Sequence, residues 1–175
     1  MMHRSKSATA PVKPLYTAEQ RRRRDNTRWT LVQGILAPVQ FLVFLVSLAL
    51  VVRYLWTGEG FAIATASVVI KTLLLYAIMV TGAIWEKVVF GHYLFVPAFY
   101  WEDMVSMLVM ALHTAYLVVL FTGWLAPQEQ LLVALAAYLV YVINAAQFVL
   151  KLRAARLSEP QPAMANDNAA LEAGR

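Results

Sequence analysis

Ile84-Trp-Glu-Lys-Val-Val-Phe-Gly-His-Tyr-Leu-Phe-Val-Pro-Ala-Phe-Tyr-Trp-Glu-Asp103 runs directly into Met104-Val-Ser-Met-Leu-Val-Met-Ala-Leu-His-Thr-Ala-Tyr116. The stretch has two parts. Its second part opens an apolar run long enough to cross a bilayer. Its first part is aromatic, interrupted by Gly91 and Pro97, and too short to cross. The carboxylates of Glu86, Glu102 and Asp103, the ammonium of Lys87 and the imidazoles of His92 and His113 all lie within it. Charge inside or beside a membrane span is costly, so each of these side chains is a functional candidate.

Working outward, apolar runs occupy 31–52, 61–84, 104–125 and 131–150. Each is close to the ~20 residues that span a hydrocarbon core of ~30 Å at 1.5 Å per residue. Lipid offers backbone amides no partners, so these runs are expected to be helices. Trp29, Trp56, Trp85, Trp101 and Trp124 fall at the edges of the runs, where an aromatic belt belongs. The predicted fold class is all-α: an integral membrane four-helix bundle with an interfacial or re-entrant aromatic loop between its second and third helices.

Composition agrees. The chain is 61% hydrophobic and only 14% charged, against about 25% charged in an average soluble domain. With no cysteine, disulfides, thiolate metal sites and cysteine nucleophiles are excluded. Of fifteen basic residues, eight precede residue 29. With four crossings, thirteen of the fifteen fall on the side that holds both tails and the aromatic loop. The positive-inside rule makes that side cytoplasmic. Beside a span, such a basic arm is read as binding anionic headgroups, and nucleic acid is not an expected partner.

The expected organisation is a basic cytoplasmic arm over 1–30, a four-helix catalytic domain over 31–156 and a disordered tail over 157–175. Within the arm, residues 1–13 read as disordered, and Thr17-Ala-Glu-Gln20 is a capping box that begins a short helix. The first apolar run is too long for a signal peptide and lacks a cleavage site.

Helical spacing groups the polar residues. Glu102 and His113 differ by roughly 20° on a helix, and Ser106 lies roughly 40° from Glu102. All three share one stripe, with Asp103 on the adjoining face. Lys71 and Glu86 differ by roughly 60°, so both can face one interior. Each has a plain reading beside the functional one. Glu102 and Asp103 suit the start of a helix through its dipole. Lys71 can bond carbonyls or a structural carboxylate, His113 can be a hydrogen-bonded helix histidine, and His92 can be surface. Phe90, Tyr93, Phe95, Phe99 and Tyr100 make either a membrane-surface anchor or one wall of a pocket for a large flat ligand. Gln33, Gln40, Asn144 and Gln147 read as contacts between helices. Phosphate-loop, His-Glu-x-x-His and Gly-x-Ser-x-Gly motifs are absent. Clustered carboxylates repel one another, and desolvation favours keeping one protonated beside another that is ionised. The cluster therefore suits the movement of protons and water near a buried apolar ligand.

The run from Trp85 to Asp103 resembles the 3-vinyl bacteriochlorophyllide hydratase family. So do Trp29-Thr-Leu-Val-Gln-Gly-Ile-Leu-Ala-Pro38, Ala111-Leu-His-Thr-Ala-Tyr116, and Tyr16-Thr-Ala-Glu followed by an arginine run. The resemblance extends over about 16–156. It implies a lyase of bacteriochlorophyll biosynthesis in a phototrophic bacterium's inner (cytoplasmic or intracytoplasmic) membrane. Such an enzyme adds water to the 3-vinyl group of a chlorophyllide to give a 3-(1-hydroxyethyl) group. No cofactor is expected, Mg²⁺ entering only as part of the substrate. Membrane lipid and other enzymes of the pathway are the candidate partners.

The resemblance carries no catalytic residue across. From this sequence, Glu86, Glu102, Asp103 and His113 are the expected catalytic groups, with Glu102 the favoured acid and His113 orienting water or sharing the proton. His92, Lys71, Phe90, Tyr93 and Phe99 are expected to hold the substrate. His92 would contact its Mg²⁺, and Lys71 would tune the carboxylates or pair with the substrate's propionate. The protein itself is expected to supply no metal site. The rival readings are a non-catalytic tetrapyrrole-binding or scaffold protein, and a small proton-coupled transporter.

Overall fold

The computed structural model describes residues 15–158. The expected disorder of 1–13 and of the tail beyond 158 lies outside the described residues. Within them the chain is all-helical: α1 (Ala18–Asn26), α2 (Arg28–Thr57), α3 (Phe61–Phe90), α4 (Tyr100–Thr122) and α5 (Pro127–Ser158). The last four are long and apolar enough to cross a membrane. The protein is a multi-pass membrane protein.

The helices overrun the apolar sequences because their ends are capped by polar chemistry. In α1 the Thr17 hydroxyl accepts from the Gln20 amide at 3.2 Å, while the Gln20 side chain accepts from the Thr17 amide at 2.9 Å. This is the expected capping box. α5 starts on Pro127, whose missing N–H costs nothing at a first helical position, and Glu129 accepts from the Ala126 amide at 2.9 Å. α5 runs on through Ser158, so the boundary expected at 156 falls inside a helix. α3 continues six residues past the expected end at Ile84 and stops at Gly91, whose φ of 90° is the left-handed conformation that favours glycine.

α2 packs chiefly on α3, and α4 on α5; thinner contacts join the two hairpins. The core between them holds Phe44, Val51, Val68, Leu75, Val109 and Tyr138. A second, smaller core sits at the other end, where Tyr16, Val89, Val96 and Phe99 are buried with Trp85, Phe90 and Phe148 packed around them. Large apolar side chains such as Leu42, Val46, Leu73, Val80 and Leu139 point outward, as a lipid-facing surface requires.

Candidate active site

The polar residues of the bundle gather in two places. The first is at the end where α3 stops and α4 begins. Glu86, Glu102 and Asp103 are all buried there, at 5%, 7% and 3% exposure. The expected common stripe on α4 is therefore real, and Asp103 joins it from the adjoining face. Asp103 Oδ2 accepts from the Phe95 amide at 2.7 Å. That bond fixes loop 91–99 at the residue whose φ is +57°, a strained value for phenylalanine. Glu102 accepts from Lys151 Nζ at 2.6 Å. Lys151 in turn lies 5.2 Å from the centre of the Phe99 ring. Asn144 reaches across from α5, donating to the Glu102 carbonyl at 3.0 Å and accepting from Ser106 at 3.2 Å.

Glu86 stands apart. Its carboxyl group contacts that of Asp103, while Glu86 Oε2 is buried without an amide, hydroxyl or ammonium donor. Two carboxyl groups in contact are stable only with a proton shared between them. The pair joins the end of α3 to the start of α4. Among the described residues, no cluster of three histidines or carboxylates forms a metal site.

The second gathering is deep in the bundle. Lys71 Nζ donates to His113 Nε2 at 2.7 Å. His113 Nδ1 faces the Val109 carbonyl at 2.8 Å, which can only accept, so the tautomer is fixed with the proton on Nδ1. Lys71 also sits 3.9 Å over the Tyr141 ring and 5.4 Å from Tyr138. The Tyr138 hydroxyl is 2.5 Å from Ser47, itself 2.7 Å from Ser67. One chain of contacts thereby joins all four spans. Lys71 and His113 are fully buried. Fifteen residues of α3 separate Lys71 from Glu86, about 22 Å of helix. The two clusters are distinct, and the expectation that Lys71 tunes the carboxylates is corrected: its partner is His113. Eleven residues of α4 likewise separate His113 from Glu102, about 16 Å. His113 therefore does not share a proton with them directly.

The aromatic loop divides as well. Phe90 and Phe99 turn inward to the smaller core, whereas His92, Tyr93 and Phe95 are exposed. Lys87 bonds the Gly91 carbonyl at 2.7 Å and lies 5.3 Å from the Tyr93 ring. Sequence reasoning passed over Lys151. Its signal was present: it lies seven residues beyond Asn144, on the same face of α5, as helical spacing requires. A groove of about 490 Å³ between α2 and α5, lined by Phe44, Leu48, Leu132 and Leu139 among others, touches the deep cluster at Tyr138 and is lined by no carboxylate, lysine or histidine.

Residues 16–154 match the family model described as 2-vinyl bacteriochlorophyllide hydratase (BCHF). The chain belongs to that family. A 2-vinyl bacteriochlorophyllide hydratase of Cereibacter sphaeroides is 70% identical over 152 residues, 86% of this chain and 94% of that relative. The hydratase of the same name from Rhodobacter capsulatus is 69% identical over 145 residues, 83% of this chain and 84% of its own. No solved structure matches the chain. The hydratase family match spans both polar clusters and begins at Tyr16, just before α1.

Proposed function

We infer that this protein is a hydro-lyase of bacteriochlorophyll biosynthesis that adds water to the 3-vinyl group of chlorophyllide a or 3-vinyl bacteriochlorophyllide a, and that the Glu86–Asp103 pair carries the proton. Family membership supports the hydratase activity. The observation that carries the assignment of roles is the contact between two buried carboxyl groups, one oxygen of which lacks an ordinary donor.

The reaction asks for an acid, a base and negative charge. The shared proton goes to the terminal CH₂ of the vinyl group. The cation left on the inner carbon is delocalised into the macrocycle and stabilised by the carboxylate that remains. Water attacks that carbon and returns its second proton to the pair. The hydroxyl ends on the inner carbon, giving the 1-hydroxyethyl group, and no electrons are exchanged with a cofactor. Mg²⁺ belongs to the substrate.

Glu102 is a weaker choice of acid, because Lys151 already donates to it. It supplies fixed negative charge beside the cation. His92, exposed two residues beyond Phe90, is available to the substrate Mg²⁺ as a neutral imidazole. The basic arm and the Arg153 and Arg156 end of α5 support a cytoplasmic placement of both termini. Loop 91–99 then lies at the cytoplasmic interface of the cell's inner or intracytoplasmic membrane.

The test uses membranes bearing the full chain, incubated with chlorophyllide a. Hydration adds the mass of one water and shifts the long-wavelength band to the blue. Glu86→Gln should slow this by about 10²–10⁴-fold, the usual contribution of a positioned acid, with the protein still inserted. Near-normal turnover in Glu86→Gln would remove the pair from the chemistry.

A further inference from the structure

The nine residues of α1 include no buried side chain, yet the strap that they form folds back on the bundle and packs against α3. Its buried anchor is Tyr16, only 4% exposed. The Tyr16 ring lies face to face on Phe90, with centroids 5.7 Å apart and planes at 22°, and 6.5 Å from Phe99. Trp85 closes the far wall edge-on, 5.8 Å from both phenylalanines, and Phe148 stacks on Phe99 at 6.0 Å. On the outside, the Arg24 guanidinium covers Tyr16 at 4.8 Å. The strap is tied to α2 and α3 through Thr30, which donates to the Arg24 carbonyl at 2.6 Å and accepts from the Trp85 indole at 2.9 Å.

This aromatic chamber adjoins the carboxylates. Glu86 is one turn before Phe90 on α3, and the Phe99 ring leads through Lys151 to Glu102. A flat macrocycle needs an aromatic face to stack on and a few polar groups at its rim. The Phe90 face already carries a flat ring, and that ring is Tyr16. We propose that the Phe90 face, with the Phe99 ring standing edge-on to it at 72° as a side wall, is the seat of the substrate macrocycle and that Tyr16, with the strap 15–26, is its displaceable cover. The chlorin takes the stacked position of Tyr16, so the vinyl group comes to rest against Glu86 and Asp103. A side chain that must leave before the ligand enters lowers apparent affinity by the fraction of time that the cover is open. The inference rests on the proposed tetrapyrrole substrate but not on which carboxylate is the acid.

The probe is a magnesium chlorin carrying an ethyl group in place of the vinyl, which binds without being hydrated. Its affinity for the full chain in lipid nanodiscs is read from the shift of its absorption band. Tyr16→Ala should tighten binding, by about tenfold if the cover is open a tenth of the time; Tyr16→Phe, which keeps the ring, should bind as the parent does. The chain has no cysteine, so Leu15→Cys, which retains Tyr16, introduces a unique thiol in the strap. Maleimide should label it faster when the chlorin is bound. Unchanged or weaker binding to Tyr16→Ala, or labelling that the chlorin does not accelerate, overturns the proposal. Because the probe has no vinyl group, these readouts are blind to the chemistry of Glu86, and a failed Glu86→Gln test leaves them standing.

Discussion

Both polar clusters bury ionisable side chains, and they treat them in opposite ways. In the deep cluster, the Lys71 ammonium and both His113 ring nitrogens have partners within the bundle, and Ser47 ties Tyr138 to Ser67. The boundary cluster, at the end of α3, puts two carboxyl groups in contact and leaves a Glu86 oxygen without an ordinary donor. A satisfied network holds helices together, since nothing in it gains by changing partners. A carboxyl pair that shares a proton can release it to a third group. Burial alone does not separate the two places; the carboxyl–carboxyl contact, found only in the boundary cluster, does.

That contrast breaks most directly at the carboxyl pair. Glu86→Gln/Asp103→Asn should abolish turnover to the limit of detection, a loss of at least about 10²-fold, because both halves of the proton carrier are gone. The effects should be far from additive, since the two groups act as one unit. If each single variant lost a small factor and the double lost only their product, the pair would not be a unit. A smaller effect is expected one residue away. Glu102→Gln keeps the shape but removes the charge that Lys151 neutralises. It should slow turnover by about tenfold, or 1.4 kcal/mol, with Lys151→Met acting in the same direction. A loss in Glu102→Gln as large as that in Glu86→Gln would return the role of acid to Glu102.

Much of this was legible in the sequence. Apolar length and tryptophan placement gave the four spans, and the capping box gave α1. Helical angle put Glu102, Ser106 and His113 on one buried stripe, and turned Lys71 and Glu86 inward. Partners were not legible, because angle on one helix says nothing about height on its neighbour. Fifteen residues of α3 lie between Glu86 and Lys71, but only ten of α4 between their partners Asp103 and His113. The difference is about 7 Å of rise, and the long lysine side chain helps to bridge it. Counting from the helix ends would not pair Lys71 with His113. Lys151 escaped notice because it stands among the basic residues that end α5 and reads as a topology signal; only its seven-residue spacing from Asn144 marks it as inward.

On the outer face of the loop, His92→Ala should raise KM by a few fold and leave kcat alone. A contact to the substrate metal, remote from the reacting carbon, binds substrate and transition state equally. A fall in kcat at constant KM would bring His92 into the chemistry and blur the boundary between the two faces of the loop.

The smallest effect on turnover is expected in the deep cluster, and it is the sharpest test of the contrast. Lys71→Met keeps the length of the side chain but strips His113 Nε2 of its donor. A buried acceptor left without a donor costs about 1–3 kcal/mol, so thermal stability in detergent should fall. Adding His113→Phe removes the orphaned acceptor, which was the ammonium's partner. Replacing both members of a buried polar pair by apolar groups is often neutral or stabilising, so the double variant should recover much of what the single one lost. Through the whole series, turnover per folded molecule should stay within about threefold, less than 1 kcal/mol of barrier. A fully folded Lys71→Met protein that no longer hydrates chlorophyllide would mean that protons or substrate reach the centre of the bundle, and the two clusters would have to be read as one site about 20 Å long.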